Sequence, residues 1–140
     1  MHTVLPCVLT ILLKDDQVLL LRRKNTGFRD GDFCLVGGKI ELNEPATQAA
    51  SREALEEVGL DLKNLEFVHV LHKMGERDDL IAFAFVATEW EGTLHNCEPE
   101  KHDLMQWFAL RHLPKNILPA HKQVLEMFQN KIHYSEFTSS

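Results

Sequence analysis

The sequence has few of the features that mark secreted or membrane proteins. Only three cysteines occur, Cys7, Cys34 and Cys97, and their odd number and wide spacing argue against a disulfide framework or a Cys-x-x-Cys zinc motif. No apolar run is long enough to cross a bilayer as a helix, and the amino terminus lacks a basic lead followed by an apolar stretch. From these absences we expect a cytoplasmic protein that has no membrane partner.

Positive charge is also scarce. Lys and Arg total 15 against 21 Asp and Glu, which gives a formal net charge of −6 at pH 7. A chain with this balance lacks the broad basic face that binds duplex nucleic acid. Internal repeats and low-complexity tracts are absent too, and we expect residues 1–140 to form a single domain, as a monomer or a homodimer.

Strand and helix patterns are mixed along the chain. Apolar, β-rich runs predict strands over residues 4–13, 18–21, 33–36, 65–71, 80–87 and 104–108. A first helix is predicted to begin with Asn43 as its N-cap and to end at Gly59. An amphipathic helix is predicted after Pro119, and residues 136–140 are predicted to fray. This mixed order favours a layered α/β domain.

The first predicted helix has an unusual concentration of acid. At about 100° per residue, Glu53 and Glu57 lie one turn apart on one face, with Glu56 beside them, and like charges at that spacing repel. A cation would relieve the repulsion, and Gly37 or Gly38 could bring a backbone carbonyl close to it because glycine has no Cβ. Carboxylate and carbonyl oxygens suit Mg²⁺, with Mn²⁺ as a substitute. A solvated acidic helix face is the alternative.

The whole segment resembles the Nudix box, G-x5-E-x7-R-E-U-x-E-E-x-G-U, in which U is aliphatic. Its positions are filled by Gly38, Glu44, Arg52, Glu53, Ala54, Glu56, Glu57, Gly59 and Leu60. Two departures occur: Ala54 is smaller than the usual aliphatic residue, and Val36 stands where many members have proline. The flanking strands and the last helix are similar to the family as well. The resemblance therefore implies a Nudix-type α/β/α sandwich with a mixed β-sheet.

The resemblance also implies a chemistry, the hydrolysis of a nucleoside diphosphate linked to another group by a metal-activated water. The implied metal ligands are Glu53, Glu57 and a Gly38 carbonyl, and Glu56 is either a third ligand or the general base. The implied catalytic residues are Glu44, Arg52, Glu53 and Glu56. Among these, Arg52 is expected to hold a glutamate in position and Glu44 to fasten the loop to the helix.

Three residues at positions that the box does not specify are candidates for substrate binding. Arg23, at a strand end, and Lys39, after the glycines, are placed to reach phosphates, although solvated strand-end charges are an equal reading. Phe28 lies in a polar loop, where its ring either stacks on a base or plugs the core.

A later segment, residues 96–108, resembles a stretch that precedes a late strand in small Nudix nucleoside triphosphatases. There an acidic residue supplies an extra metal ligand or base, and Glu100 is preferred here to Glu98. Asn96 is a candidate contact for the base or ribose. The alternative is a charged surface loop with Pro99 as its turn. The histidines are interpreted as surface or core residues.

Three functions follow from these residues. The first is Mg²⁺-dependent hydrolysis of a nucleoside triphosphate, including damaged or non-standard ones, to a monophosphate and pyrophosphate. The second is hydrolysis of a nucleotide sugar or ADP-ribose to two monophosphates. The third is a binding module that senses a nucleotide without cleaving it, which would not need the full set of glutamates.

Overall fold

Ten strands and two helices make up residues 1–138, which are the part of the chain that the computed structural model describes. The strands are β1 (Thr3–Lys14), β2 (Gln17–Arg23), β3 (Phe33–Cys34), β4 (Val36–Lys39), β5 (Asp61–Leu62), β6 (Glu66–Met74), β7 (Asp78–Ala87), β8 (Trp90–Glu91), β9 (His102–Ala109) and β10 (Tyr134–Thr138). The helices are α1 (Ala46–Val58) and α2 (Pro119–Gln129). Neither helix has the length and apolar character that a bilayer crossing requires, and no other helix is present in the described residues.

The sheet is mixed, as the sequence predicts. Its strands run in the order β10-β6-β7-β1-β2-β3, with β4 paired to β1 and β9 paired to β2. The pairs β1 with β7 and β10 with β6 are parallel, whereas the other pairs are antiparallel. The long β1 strand therefore joins two parts of the sheet, and β4 lies beside its middle.

The two helices pack on opposite faces of this sheet. Because side chains alternate along a strand, the neighbours Val8 and Leu9 on β1 point to different sides. Val8 packs in one cluster with Ala49 of α1, whereas Leu9 packs in another with Val124 of α2 and Leu71 of β6. This layering is the predicted α/β/α sandwich, and it gives the strand that holds the glycine pair a helix on each side.

The predicted N-cap of the first helix is wrong, whereas its predicted end is right. The N-cap is Pro45, without a side-chain capping bond, and Asn43 has a φ of 61° in the turn before it. The Glu44 carboxylate, rather than Asn43, organises this turn, since it accepts a hydrogen bond from the Glu41 amide at 3.0 Å. At the other end, Gly59 adopts the left-handed conformation, with a φ of 74°, that glycine accepts most readily.

The predicted frayed tail is in fact a strand up to Thr138. β10 pairs in parallel with β6, and Phe137 packs against the same core as α2. The buried His69 ring bonds to Ser135 Oγ at 2.7 Å, which helps to hold the strand in place. Exposed Tyr134 and Glu136 alternate along this strand with less exposed Ser135 and Phe137. The sequence itself does not alternate between apolar and polar residues here, so its pattern does not predict the strand. Ser139 and Ser140 of the predicted tail lie outside the described residues.

Candidate active site

Arg52 forms the centre of a hydrogen-bond network between α1 and the loop before it. Its Nε donates to Glu44 Oε2 at 2.7 Å, and its Nη2 donates to Glu44 Oε1 at 3.0 Å and to the Lys39 carbonyl at 3.0 Å. Its Nη1 donates to Glu53 Oε1 at 2.9 Å and to Glu56 Oε2 at 3.2 Å. These bonds lower the pKa of the Glu44 carboxyl below its usual range, so this carboxyl stays ionised beside the guanidinium.

Glu57 is the most deeply buried carboxyl of the box, with 5% of its surface exposed. Burial raises its pKa far above the usual range, and the adjacent Glu53, which shares a hydrogen bond with it, and the charge of Glu98 raise it further. The Gly37 amide opposes this shift by donating to the Glu57 carboxylate. The Arg52 guanidinium offsets the charge of Glu53 only, so Glu57 cannot ionise beside it at neutral pH without a further positive charge.

The glycine pair on β4 faces both sides of the sheet. A Cβ at Gly38 would lie 2.5 Å from the Glu53 carboxyl carbon, so the absent side chain is what lets this carboxyl approach the strand. A Cβ at Gly37 would instead collide with the Val8 carbonyl and approach the Leu9 side chain. β4 therefore brings bare backbone close to the acidic face of α1.

The donors around Glu57 fit a divalent cation of the magnesium type. Mg²⁺ in proteins is commonly held by one or two carboxylates, and waters and substrate phosphates complete its shell. Glu53 and Glu57 provide two adjoining carboxyls, and Gly38 provides backbone that no side chain shields. Within residues 1–138, no three His, Cys, Asp or Glu side chains are already gathered as a complete ligand set.

The loop before β9 is attached to the end of α1. The Cys97 amide donates to the Glu57 carbonyl at 3.0 Å, and this bond brings Glu98 close enough to raise the pKa of the Glu57 carboxyl. Glu100 is exposed in the following turn, so of the two acidic candidates the structure brings Glu98, and not Glu100, to the box glutamates. Asn96 stabilises the same loop, donating to the His102 carbonyl at 2.7 Å and accepting from the Glu98 amide at 3.1 Å.

The four predicted substrate-binding residues thus lie in different places. Asn96 has its amide oxygen and nitrogen both engaged within its own loop. The Lys39 side chain is exposed on β4, next to the box. Arg23 and Phe28 lie together on the other face of the sheet, where they line a cavity of about 240 Å³. Their roles remain predictions.

The ring of Phe28 lies at the rim of this cavity instead of plugging the core. It is 50% exposed, and the Arg23 guanidinium and the Lys73 ammonium each lie 5.5 Å from its centroid. Arg23 Nε also donates to the Phe28 carbonyl at 2.9 Å, so the loop and the strand end hold each other. The inner walls are mostly apolar and include Leu9 and Ala82.

Sequence reasoning missed three polar residues of the cavity, Arg29, Lys73 and His121. His121 lies in the first turn of α2. Its Nδ1 accepts a hydrogen bond from the Leu35 amide at 3.0 Å. Burial lowers its pKa to about 3, and the charges of Arg23 and Lys73 act in the same direction. The available signal was its helical spacing from Val124, which places it on the inward face of α2.

Comparison with known proteins identifies the family. The model of the NUDIX domain matches residues 3–128. The chain is 30% identical over 110 residues to the NAD-capped RNA hydrolase NudC of Edwardsiella ictaluri (strain 93-146), covering 79% of this chain and 41% of that protein. It is 35% identical over 107 residues to the ADP-ribose pyrophosphatase of Methanocaldococcus jannaschii, covering 75% of this chain and 62% of that protein. The chain therefore spans less than two thirds of the length of either relative.

A solved structure supports the same assignment. The MutT NUDIX hydrolase from Burkholderia pseudomallei superposes with a TM-score of 0.83 at 28% identity, covering 89% of this chain and 97% of that one. The predicted fold class and the resemblance seen in the box are thereby confirmed. Because the family model extends over most of the sequence, the chain belongs to the NUDIX domain family.

Proposed function

We propose that the protein hydrolyses a pyrophosphate bond in a nucleoside diphosphate compound, with a nucleoside triphosphate as its substrate and a monophosphate and pyrophosphate as its products. The observation that supports this most directly is the buried Glu57 carboxyl pressed against Glu53 beside the bare backbone of Gly38. Such a pair is costly to bury without a cation, and a cation held there faces the open edge where a diphosphate can approach.

Each residue of the box then has a distinct task. Glu53 and Glu57 hold Mg²⁺ or Mn²⁺, which, when bound, offsets phosphate charge and lowers the pKa of water. Arg52 fixes the orientation of Glu53 through its 2.9 Å bond. The Glu56 side chain is 52% exposed and accepts a single bond of 3.2 Å from Arg52, so its other oxygen is free to take the proton of the attacking water.

The nucleoside occupies the cavity on the α2 face, and the phosphates cross the edge of the sheet at β4 to reach α1. This route is short, because Leu9 of the cavity wall is the register partner of Gly37 on β4. Arg23 at the cavity rim and Lys39 at the end of β4 then offer positive charge along the path of the phosphates. The half-exposed Phe28 ring is placed to stack on the base.

A second candidate is hydrolysis of ADP-ribose or a nucleotide sugar, which would give two monophosphates. The two relatives favour it, since one is an ADP-ribose pyrophosphatase and the other an NAD-capped RNA hydrolase. The cavity volume of about 240 Å³ lies below the roughly 300–1,000 Å³ typical of drug-sized ligands and suits a single base, which both candidate substrates have, so the volume does not separate them.

The deciding experiment is a screen of nucleoside triphosphates, ADP-ribose and nucleotide sugars with Mg²⁺ and with Mn²⁺, in which pyrophosphate, orthophosphate and monophosphates are measured separately. Pyrophosphate release supports the first candidate, and paired monophosphates support the second. If no compound is cleaved with either metal, the chain is a binding module and the proposal fails.

The ligand assignment has its own variant. Glu57→Gln keeps the size of the side chain but cannot ionise to bind a cation, and we expect turnover to fall at least a hundredfold while the melting temperature without metal stays the same, because the raised pKa of Glu57 already leaves that carboxyl uncharged when no cation is bound. Glu126→Gln, at an exposed position on α2, is the matched control and should behave like the parent. Full activity in Glu57→Gln would refute the assignment.

A further inference from the structure

We propose that His121 is a specificity-determining residue that reads the base through a single ring N–H, and that the cavity selects bases with a keto oxygen over those with an amino group. This inference rests on the proposed function, because it assumes that the cavity holds the base of the substrate. It goes further by naming the chemical class of base and the atom that recognises it.

The imidazole ring of His121 has one fixed tautomer. The Leu35 amide can only donate, so the Nδ1 atom that it contacts at 3.0 Å must be unprotonated. A neutral imidazole then has its proton on Nε2. Within residues 1–138, Nε2 has no protein partner, and His121 lines the cavity, so this N–H is the donor that the ring offers to a ligand.

The His121 ring keeps this neutral tautomer over a wide pH range. Burial and the positive charges of Arg23 and Lys73 lower the pKa of His121 to about 3. At neutral pH the ring is therefore uncharged, and Nδ1 stays occupied by the Leu35 amide. A neutral ring with one engaged acceptor and one free donor differs from a surface histidine, which exchanges tautomers.

The charged side chains that line the cavity are all basic. The described lining includes Arg23, Arg29 and Lys73 and contains no Asp or Glu side chain. Arginine and lysine are donors without acceptors, so the side chains that can bond a ligand strongly are all donors. A base that presents an acceptor at its exocyclic position satisfies them, whereas an amino group there would meet another donor. Leaving such donors unpaired on binding is what rejects the wrong ligand.

The test compares bases in which a keto oxygen is exchanged for an amino group, inosine with adenosine and uridine with cytidine, as triphosphates with Mg²⁺. The adjacent ring nitrogen changes with it, from an N–H donor in the keto base to an acceptor in the amino base. We expect the keto member of each pair to have a kcat/KM about tenfold higher, the size of effect that one buried hydrogen bond and one mismatched donor can produce. The monophosphates should show the same order in binding measured by calorimetry without metal, which needs no turnover.

Two variants separate recognition from folding. In His121→Asn, the side-chain oxygen takes the place of Nδ1 and can still accept from Leu35, but no donor reaches the Nε2 position. In His121→Gln, the amide nitrogen takes the place of Nε2, so the donor is kept and the contact with Leu35 is lost. We expect His121→Asn to stay folded and lose the keto preference, and His121→Gln to melt at a lower temperature and keep the preference.

Several results would overturn the inference. It fails if the amino bases are used or bound as well as the keto bases, or if His121→Asn retains the parental ratio. It also fails, while hydrolysis itself stands, if ADP-ribose is cleaved and adenine binds best. If no nucleotide is cleaved, the proposed function fails, and the monophosphate affinities of the parent and of His121→Asn still decide the role of the ring.

Discussion

The Arg52 guanidinium donates two hydrogen bonds to the Glu44 carboxylate, from Nε at 2.7 Å and from Nη2 at 3.0 Å. Lysine cannot reproduce this planar, two-pronged contact. We therefore expect Arg52→Lys to lower kcat/KM and Mn²⁺ affinity by about ten- to a hundredfold, because Glu53 loses its orientation.

The control is Arg22→Lys, since Arg22 makes one exposed contact with Asp103 at 2.7 Å and should tolerate the change. Steady-state kinetics and calorimetric titration of Mn²⁺ measure both effects. Equal behaviour of the two variants would show that the double contact has no role in the site.

Gly37 and Gly38 should respond differently to alanine. At Gly38 the new methyl group would meet the end of the Glu53 side chain, which can move aside, so we expect folding to persist while metal affinity and turnover fall at least tenfold. At Gly37 it would collide with the Val8 backbone, which cannot move without breaking the pairing of β1 with β4, so we expect the melting temperature to drop by about 5 °C or more. Thermal melts and activity assays of both variants test this contrast, and it would be refuted by Gly38→Ala unfolding or by full activity of that variant.

The loop before β9 supplies its own matched pair of variants. The pKa of Glu57 is raised by burial and Glu53, and the charge of Glu98 raises it further. The charge of the exposed Glu100 instead opposes the lowering of the His102 pKa by burial. We expect Glu98→Gln to weaken Mn²⁺ binding in the presence of a nucleotide about tenfold, and Glu100→Gln to bind within about twofold of the parent, because only the first removes charge from the metal site. Calorimetry of both variants decides between them, and the opposite ranking would restore Glu100 as the ligand.

His121 makes a prediction about stability and pH. The unfolded chain binds a proton on this ring as the pH falls below about 6.5, whereas the folded chain resists protonation until the pH nears about 3. A histidine with a lowered pKa contributes stability above pH 6.5 that is lost on acidification, at up to about 1.4 kcal/mol per pH unit. His121→Asn has no ring to protonate at this position, so its free energy of unfolding should fall less steeply than that of the parent between pH 6.5 and 4.

Urea denaturation at several pH values measures this slope. The exposed His112 provides the control, and His112→Asn should follow the parental curve. Parallel curves for the parent and His121→Asn would mean that the ring titrates normally in the folded protein.

Much of the site was predictable because its residues are close in sequence. A helix fixes the spacing of Glu53 and Glu57, and glycine at 38 signals close approach of backbone, so spacing alone points to one acidic site. The long strands β1, β2, β6, β7 and β9 were predictable for the same reason, since their apolar runs are local features, whereas the short β5 and β8 and the terminal β10 were not.

Contacts between distant parts of the chain could not be predicted from the sequence. Glu98 and Glu100 are equivalent in sequence, and only the bond from the Cys97 amide to the Glu57 carbonyl distinguishes them. His121 gains its fixed tautomer from Leu35, a partner 86 positions away. Composition and periodicity say little about such pairings, because they depend on how the sheet brings remote segments together.

The alternating faces of β4 make its length critical. Removing one residue ahead of Gly37 would exchange the sides of all the following positions, so that Lys39 would point where Gly38 now does and bring its side chain against the acidic helix. A natural or engineered relative should therefore accept changes of residue type in this strand more readily than any change in its residue count.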